Sequence, residues 1–112
     1  MDEKIVEAAM AIILNAGDAR VSCKEALDAI ALGNFEEAEA KLKDAQAKNV
    51  TAHKVQTEAI QGETRGEKAE YSLLFAHAQD TMMTIYSEIN IAKQLLKIFM
   101  AYEKRIAAIE NK

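Results

Sequence analysis

The sequence predicts an all-α fold, an antiparallel three-helix bundle whose helices run up, down and up. The 112 residues include no proline and only four glycines, which argues against a loop-rich or all-β chain. Apolar residues recur at alternating steps of three and four, the spacing of helices with one buried face. Two glycine-containing breaks, at residues 33–34 and 62–67, divide this pattern into three segments. Short connections make sequential helices antiparallel neighbours, so we expect a single domain over residues 1–112.

The first predicted helix covers about residues 2–32 and stops at Gly33, a typical residue just after a helix. Cys23 falls on its apolar face, which predicts a small buried side chain rather than a reactive thiol. Gly17 lies inside the helix, where glycine costs about 1 kcal/mol relative to alanine, and it indicates a kink or a close helix contact. The apolar or small positions are Ile5, Ala9, Ile12, Ala16, Ala19, Cys23, Leu27 and Ile30.

The second predicted helix covers about residues 35–61 and follows Asn34, an N-cap with Glu37 at the spacing of a capping box. Its buried stripe includes Asn49 and Gln56, and polar residues at such positions set register or oligomeric state at a cost in stability. We interpret His53, three residues before Gln56, as a structural polar contact. The stripe as a whole is Phe35, Ala38, Leu42, Ala45, Asn49, Ala52, Gln56 and Ala59.

The third predicted helix covers about residues 68–109 and carries two apolar stripes. A bundle of three helices needs only one buried stripe per helix, so the second favours self-association, most simply as a parallel coiled coil. A wide core face within one chain is the alternative. The first stripe is Tyr71, Phe75, Ala78, Met82, Ile85, Ile89, Ala92, Leu96 and Phe99, and the second is Leu73, Ala76, Met83, Ile91, Leu95 and Ile98.

Composition excludes several functional classes. The net charge is −4 with no basic block, which argues against nucleic-acid binding, and a single cysteine excludes an intrachain disulfide or a cysteine-rich zinc site. There is no Glu-x-x-His pair, phosphate-binding glycine loop or Ser-His-Asp signature. Without a signal peptide or a long apolar run, the chain is expected to be cytoplasmic.

The best candidates for chemistry are His77 and Asp80 in the third helix. An imidazole near neutral pH is a competent nucleophile or metal ligand, with a hydrogen-bonded structural histidine as the alternative. Asp80 falls on the second stripe, where a carboxylate is costly unless it is paired, protonated or bound to a cation such as Mg²⁺. A surface carboxylate beside a narrower stripe is the alternative for Asp80.

Four segments in order, at residues 15–20, 33–38, 52–57 and 77–84, carry a resemblance that extends over nearly the whole chain. They read Asn15-Ala16-Gly17-Asp18-Ala19-Arg20, Gly33-Asn34-Phe35-Glu36-Glu37-Ala38, Ala52-His53-Lys54-Val55-Gln56-Thr57, and His77-Ala78-Gln79-Asp80 followed by Met82-Met83-Thr84. Together they resemble the lactose/cellobiose-type IIA proteins of the bacterial phosphoenolpyruvate-dependent sugar phosphotransferase system.

The resemblance implies a homotrimer whose nine helices form a coiled-coil-like bundle with the third helix at its centre, which favours self-association. It implies that His77 accepts a phosphoryl group from the histidine phosphocarrier protein and passes it to the IIB component. That step serves uptake of a disaccharide such as lactose, cellobiose or diacetylchitobiose. By the same match, the three copies of Asp80 meet at the trimer axis around one divalent cation such as Mg²⁺.

Thr81 departs from the family, whose members commonly have a second histidine at that position. Because His77 lies inside a helix, free helix N-terminal amides cannot stabilise its phosphoryl group. We expect Gln79 and Thr81 to donate hydrogen bonds instead, and the more exposed Nε2 to carry the phosphoryl group. An apolar ring at residues 73–76 suits sequential docking of two partners. The alternative function is a non-catalytic trimeric adaptor in which His77 and Asp80 only set register.

Overall fold

The computed structural model describes residues 3–64 and 72–111, and these form three α-helices and no strand. Helix α1 spans Glu3–Ala31, α2 spans Phe35–Thr64 and α3 spans Leu73–Glu110. The helices pack side by side as an up-down-up bundle with extents of 68 × 20 × 18 Å. The predicted fold class is therefore confirmed.

A tight turn at residues 32–34 joins α1 to α2. Gly33 has a φ of 77°, and the N–H groups of Gly33 and Asn34 donate to the carbonyl oxygens of Ile30 and Ala29 at 3.0 and 2.9 Å. This pair of bonds is a Schellman motif, in which glycine takes the left-handed conformation. The predicted capping box does not form, because the Asn34 N–H that Glu37 would accept from is already bonded to Ala29.

In the described part of the chain, helix α3 begins at Leu73. Ser72 is extended, with φ −125° and ψ 117°, and its hydroxyl accepts a 3.1 Å hydrogen bond from the Phe75 N–H. A serine in this geometry is an N-cap, so the regular helix can only start after it. The predicted helical residues 68–71, including Tyr71, lie outside the described part of the chain.

The core is one continuous cluster along the facing sides of the three helices. Most predicted stripe positions are buried, but in α1 Ala26 is buried and Leu27 is exposed, so the buried face has drifted by one residue. Phe99 is exposed as well. Asn49 is buried, as its position on the α2 stripe predicts. The buried apolar residues are Ala9, Ile12, Ala16, Ala19, Cys23, Ala26, Ala29, Ile30, Ala38, Leu42, Ala45, Ala52, Ala78, Met82, Ile85, Ile89, Ala92 and Leu96.

Helices α1 and α3 run parallel. Each α1 residue lies level, along the bundle axis, with the α3 residue whose number is 68 higher, and we call this alignment the register of 68. The Arg20 guanidinium binds the Glu88 carboxylate through two bonds of 3.1 and 2.9 Å. Leu27 and Leu95 line the same groove further along the two helices. This register allows any position on α1 to be matched to its neighbour on α3.

The second stripe of α3 faces outward. Leu73 is 73% exposed and Ile91 is 58% exposed, and Met83 and Ile98 are exposed as well. A wide core face within one chain is therefore the wrong interpretation of this stripe. Its apolar surface is available to another molecule, as the self-association hypothesis requires.

Candidate functional site

His77 lies on α3, five residues after the Ser72 cap, and its side chain is exposed. No hydrogen bond or ion pair joins its imidazole to any residue in the ranges 3–64 and 72–111. A histidine with a structural role in this chain would be expected to hold at least one such bond. The side chain is therefore open to an incoming group.

The two residues predicted to stabilise a phosphoryl group are not aimed at His77 within one chain. The Thr81 hydroxyl donates to the His77 carbonyl oxygen at 2.8 Å, along the helix rather than toward the imidazole. Gln79 is half-buried and two residues away, and side chains two apart on a helix do not face each other. Only a rotated Thr81, or Gln79 from another copy, could reach the imidazole.

Asp80 is exposed on the outward stripe, between Ala76 and Met83. The Thr84 hydroxyl donates to its backbone carbonyl at 2.8 Å, and the carboxylate is not bonded to any described residue. Within the described ranges, no three acidic, cysteine or histidine side chains come together as a metal-binding group. A cation at Asp80 would therefore need carboxylates from more than one copy of the chain.

His77 belongs to the flank of α3 that faces α1. Thr84, Glu88, Ile91 and Leu95 follow it at helical spacing on that flank, and the last three line the α1–α3 groove. With the register of 68, His77 lies level with Ala9 on α1. This alignment of α1 with α3 could not be predicted from the spacing within either helix.

A polar network joins α1 to α2 away from His77. The Ser22 hydroxyl donates to the Asp44 carboxylate at 2.6 Å and accepts from Lys48 at 3.2 Å, while Lys48 and Asp44 pair at 2.9 Å. The hydrogen bond from Ser22, followed by that from Lys48, lowers the pKa of Asp44 below its ordinary value of 3.8. Burial raises the pKa of the Cys23 thiol, as expected for an unreactive core cysteine.

A cavity of about 420 Å³ lies between α2 and α3. The Asn49 side chain, 5% exposed, lines it, and its Oδ1 is buried without a hydrogen-bond partner. His53 also lines this cavity with an exposed ring, so the structural contact predicted for His53 is not seen among the described residues. The Lys93 ammonium bonds to Gln46 at the far end of the same cavity.

Comparison with known proteins identifies the family. A family model described as the lactose/cellobiose-specific IIA subunit of the PTS system matches residues 7–100. The chain belongs to this IIA family. It is 39% identical to the lichenan-specific phosphotransferase enzyme IIA component of Bacillus subtilis (strain 168), over 88% of this chain and 90% of that protein. It is 34% identical to the lactose-specific EIIA component of Lacticaseibacillus casei, over 98% and 95% of the two chains.

The fold agrees with the same family. The crystal structure of the cellobiose-specific enzyme IIA from Bacillus anthracis superposes with a TM-score of 0.86 at 35% identity, covering 93% of this chain and 95% of that one. As an IIA protein, the chain is a phosphotransfer component with a phosphoryl-carrier role in sugar uptake. Among residues 3–64 and 72–111, no helix is both long and apolar enough to span a membrane.

Proposed function

We propose that His77 is the phosphoryl acceptor of this IIA protein and that a phosphohistidine is its working intermediate. The open, unbonded imidazole on α3 is the observation that carries this proposal. An imidazole held in a polar network would lose those bonds on phosphorylation, whereas His77 has none to lose.

The reaction is an exchange between two imidazoles. The lone pair of His77 Nε2 forms a bond to phosphorus, and the bond from phosphorus to the donor's histidine nitrogen breaks with its electron pair returning to that ring. Transfer to the IIB component reverses these roles, with the IIB cysteine thiolate attacking the same phosphorus. In-line transfer of this kind depends on positioning and charge stabilisation rather than on an acid or base.

Stabilisation of the phosphoryl group is proposed to come from a trimer. Gln79 of one copy would donate a hydrogen bond to the phosphoryl group on His77 of the next copy. The Thr81 hydroxyl would donate a second bond to that group after rotating away from the His77 carbonyl. The exposed second stripe of α3 supports a central position for this helix. Asp80 on that stripe would hold a divalent cation such as Mg²⁺ at the axis, one per trimer, which offsets the mutual repulsion of three carboxylates.

The proposed partners follow from the family. The donor is the histidine phosphocarrier protein, the acceptor is the IIB component, and the pathway delivers a disaccharide such as lactose, cellobiose or diacetylchitobiose in the cytoplasm. The relatives are named for lichenan, lactose and cellobiose, which supports a pathway for a sugar of this kind.

Intact-mass measurement tests whether His77 accepts a phosphoryl group. The protein is incubated with phosphoenolpyruvate, the first enzyme of the system and the histidine phosphocarrier, and one acid-labile phosphoryl group per chain is expected. His77→Gln removes the added mass, while His53→Gln, which changes the other exposed histidine, keeps it. No added mass under conditions that charge another IIA protein would favour the non-catalytic adaptor.

The Asp80→Leu variant tests whether the Asp80 carboxylates of three copies meet at a trimer axis. Replacing three facing carboxylates with leucine removes their repulsion, so the variant should remain trimeric, melt at a higher temperature and no longer respond to Mg²⁺. The measurement is molar mass by light scattering together with thermal melts, with and without EDTA. A trimer that weakens on this change would contradict the axial position of Asp80.

A further inference from the structure

Helix α3 continues past the ends of the other two helices. In the register of 68, the last residue of α1, Ala31, lies level with Phe99. Helix α2 starts after a turn of three residues and runs back along α1, so it begins at the same height. The part of α3 that follows Phe99 therefore extends about 16 Å beyond both helices, at 1.5 Å per residue. We name residues 99–110 the α3 overhang.

The α3 overhang carries an apolar stripe that no described residue buries. Phe99, Tyr102, Ile106 and Ile109 follow each other at steps of three, four and three, and they are 47%, 52%, 48% and 69% exposed. The region matched to the family ends at residue 100, so most of this stripe lies beyond it. Helices in proteins gain most of their stability from packing of an apolar face, and a second molecule on this stripe would supply that packing.

The spacing of the stripe is that of a coiled coil. Phe99 and Ile106 occupy positions a of a heptad, and Tyr102 and Ile109 occupy positions d. Isoleucine at both a and d favours three or four strands over two. Tyr102 also lies four residues after the exposed Ile98, the last residue of the second stripe, so the two apolar surfaces are continuous along α3.

The charged residues beside the stripe favour a parallel copy of the same chain. Arg105 occupies position g, and Glu103 and Glu110 occupy positions e. In a parallel coiled coil, Arg105 faces Glu110 of the neighbouring chain, whereas antiparallel chains would bring like charges together. Within the described residues, neither Arg105 nor Glu110 forms an ion pair, and the Arg105 guanidinium lies 5.6 Å from the centre of its own Tyr102 ring.

We propose that the α3 overhangs of three copies form a short parallel coiled coil, which holds the copies together at the end of the molecule away from Asp80. Arg105 of each copy pairs with Glu110 of the next. The inference rests on the proposed trimer and does not depend on the role of His77.

The distance from Asp80 gives this coiled coil a use. Asp80 lies about 28 Å along α3 from Phe99, at 1.5 Å per residue, whereas charges in water are screened over about 8 Å at physiological salt. Repulsion between Asp80 carboxylates therefore does not weaken contacts in the overhang. The copies stay together there whether or not a cation is bound at Asp80.

Sedimentation equilibrium of the full chain in EDTA tests the apolar stripe. The variant is Ile106→Glu, and Met100→Glu is the matched control, because Met100 is 45% exposed in the same segment but lies off the stripe. The trimer dissociation constant should rise by about tenfold or more in Ile106→Glu, the effect of a residue at the centre of an interface, and should not change in Met100→Glu. Protection of the buried Cys23 thiol from a thiol reagent checks that the core of each variant is intact.

Charge reversal tests the direction of the strands. Arg105→Glu places a carboxylate opposite Glu110, so the dissociation constant should rise by about threefold or more, and by less at high salt. Glu110→Arg should have a similar effect. The double variant restores an opposite-charge pair and should return the dissociation constant to that of the unaltered chain.

Three results would overturn the inference. The first is a dissociation constant that Ile106→Glu leaves unchanged, and the second is an equal rise in Met100→Glu. The third is a double charge reversal that does not restore assembly. If Ile106→Glu instead abolishes binding to vesicles of phosphatidylserine and phosphatidylcholine while the trimer persists, the overhang is a lipid-binding segment and the inference is wrong.

Two further results separate this inference from the proposed function. An unaltered chain that is monomeric at every concentration would overturn the proposed trimer, and the coiled coil with it. An unaltered chain that is trimeric through Ile106 but accepts no phosphoryl group would overturn only the role of His77.

Discussion

The two halves of the bundle are held together by different interactions. In the half nearer the Gly33 turn, ion pairs and hydrogen bonds connect the helices: Arg20 with Glu88, Lys41 with Glu25, and Ser22 with Asp44 and Lys48. In the half that contains His77, the described residues 7–19, 49–59 and 72–87 form no hydrogen bond or ion pair from one helix to another. Within those three ranges, the contacts between helices are apolar packing.

The bonds that align the helices therefore lie in one half of the bundle, and the candidate phosphoryl acceptor lies in the other. Directional bonds in the turn half fix which residues of α1, α2 and α3 lie level, so register is set where no chemistry takes place. His77 and Asp80 then remain available to other molecules, since neither side chain is bonded to a described residue. A half that used His77 or Asp80 to hold its helices together could not also present them to partners.

The largest expected effect is loss of core packing in the His77 half. Ile12→Ala should lower the free energy of unfolding by about 2–5 kcal/mol, since Ile12 is fully buried and the change leaves a cavity. Leu14→Ala, two residues away on the exposed face, should cost less than about 0.5 kcal/mol. Urea denaturation measures both, and similar losses would show that Leu14 is buried in solution.

Asn49→Leu should stabilise the same half. The buried Oδ1 has no partner, and replacing an unsatisfied polar group by an apolar one of similar size should gain about 1–3 kcal/mol. Asn90→Leu, at an exposed position lining the same cavity, is the control and should change stability little. A loss of stability in Asn49→Leu would indicate that another copy or an ordered water bonds to Asn49 in solution.

The ion pair between Arg20 and Glu88, which aligns α1 with α3, should contribute less to the free energy of unfolding than the two core changes above. Both side chains of the Arg20–Glu88 pair are about half exposed, so a double-mutant cycle with alanine should give a coupling of about 0.2–1 kcal/mol that falls with added salt. A coupling that is insensitive to salt would mean that the pair is shielded from solvent in the assembled protein.

The smallest expected effect is the loss of the stabilising contribution of Asp44 at low pH. Its pKa is lower in the folded chain than its ordinary value of 3.8, so its stabilising contribution is present above that value and is lost as the pH falls through the folded pKa. The difference in melting temperature between the unaltered chain and Asp44→Asn should therefore shrink as the pH is lowered below 3.8. A difference that grows in acid would contradict the hydrogen bond from Ser22.

Much of the fold could be predicted because it depends on local sequence. Gly33 marked the first turn, and the three-and-four spacing marked the buried faces, since both follow from backbone geometry within one helix. The capping bond between Ser72 and Phe75 was not predicted, because a serine takes the N-cap geometry only when the backbone before the helix is extended.

The candidate site was only partly predictable. The segment from His77 to Thr84 indicated the chemistry through its resemblance to the IIA family, whereas residue types and spacing alone left a structural histidine as the alternative. The open surroundings of His77 and the absence of the predicted close contact at Gly17, where a Cβ would meet nothing within 4 Å, depend on where α1 lies relative to α3. Periodicity within one helix does not give the register between two helices, so the residue of α1 that lies level with His77 could be recognised only in three dimensions.

The tight turn at Gly33 also bears on how the chain folds. Three residues connect α1 to α2, so bringing these helices together costs little loop-closure entropy, and their hairpin should form before α3 docks on it. Gly33→Ala would impose a cost of about 1 kcal/mol at a φ of 77°. That cost should slow refolding more than it speeds unfolding, which would make the hairpin the nucleus on which the phosphoryl-bearing helix assembles.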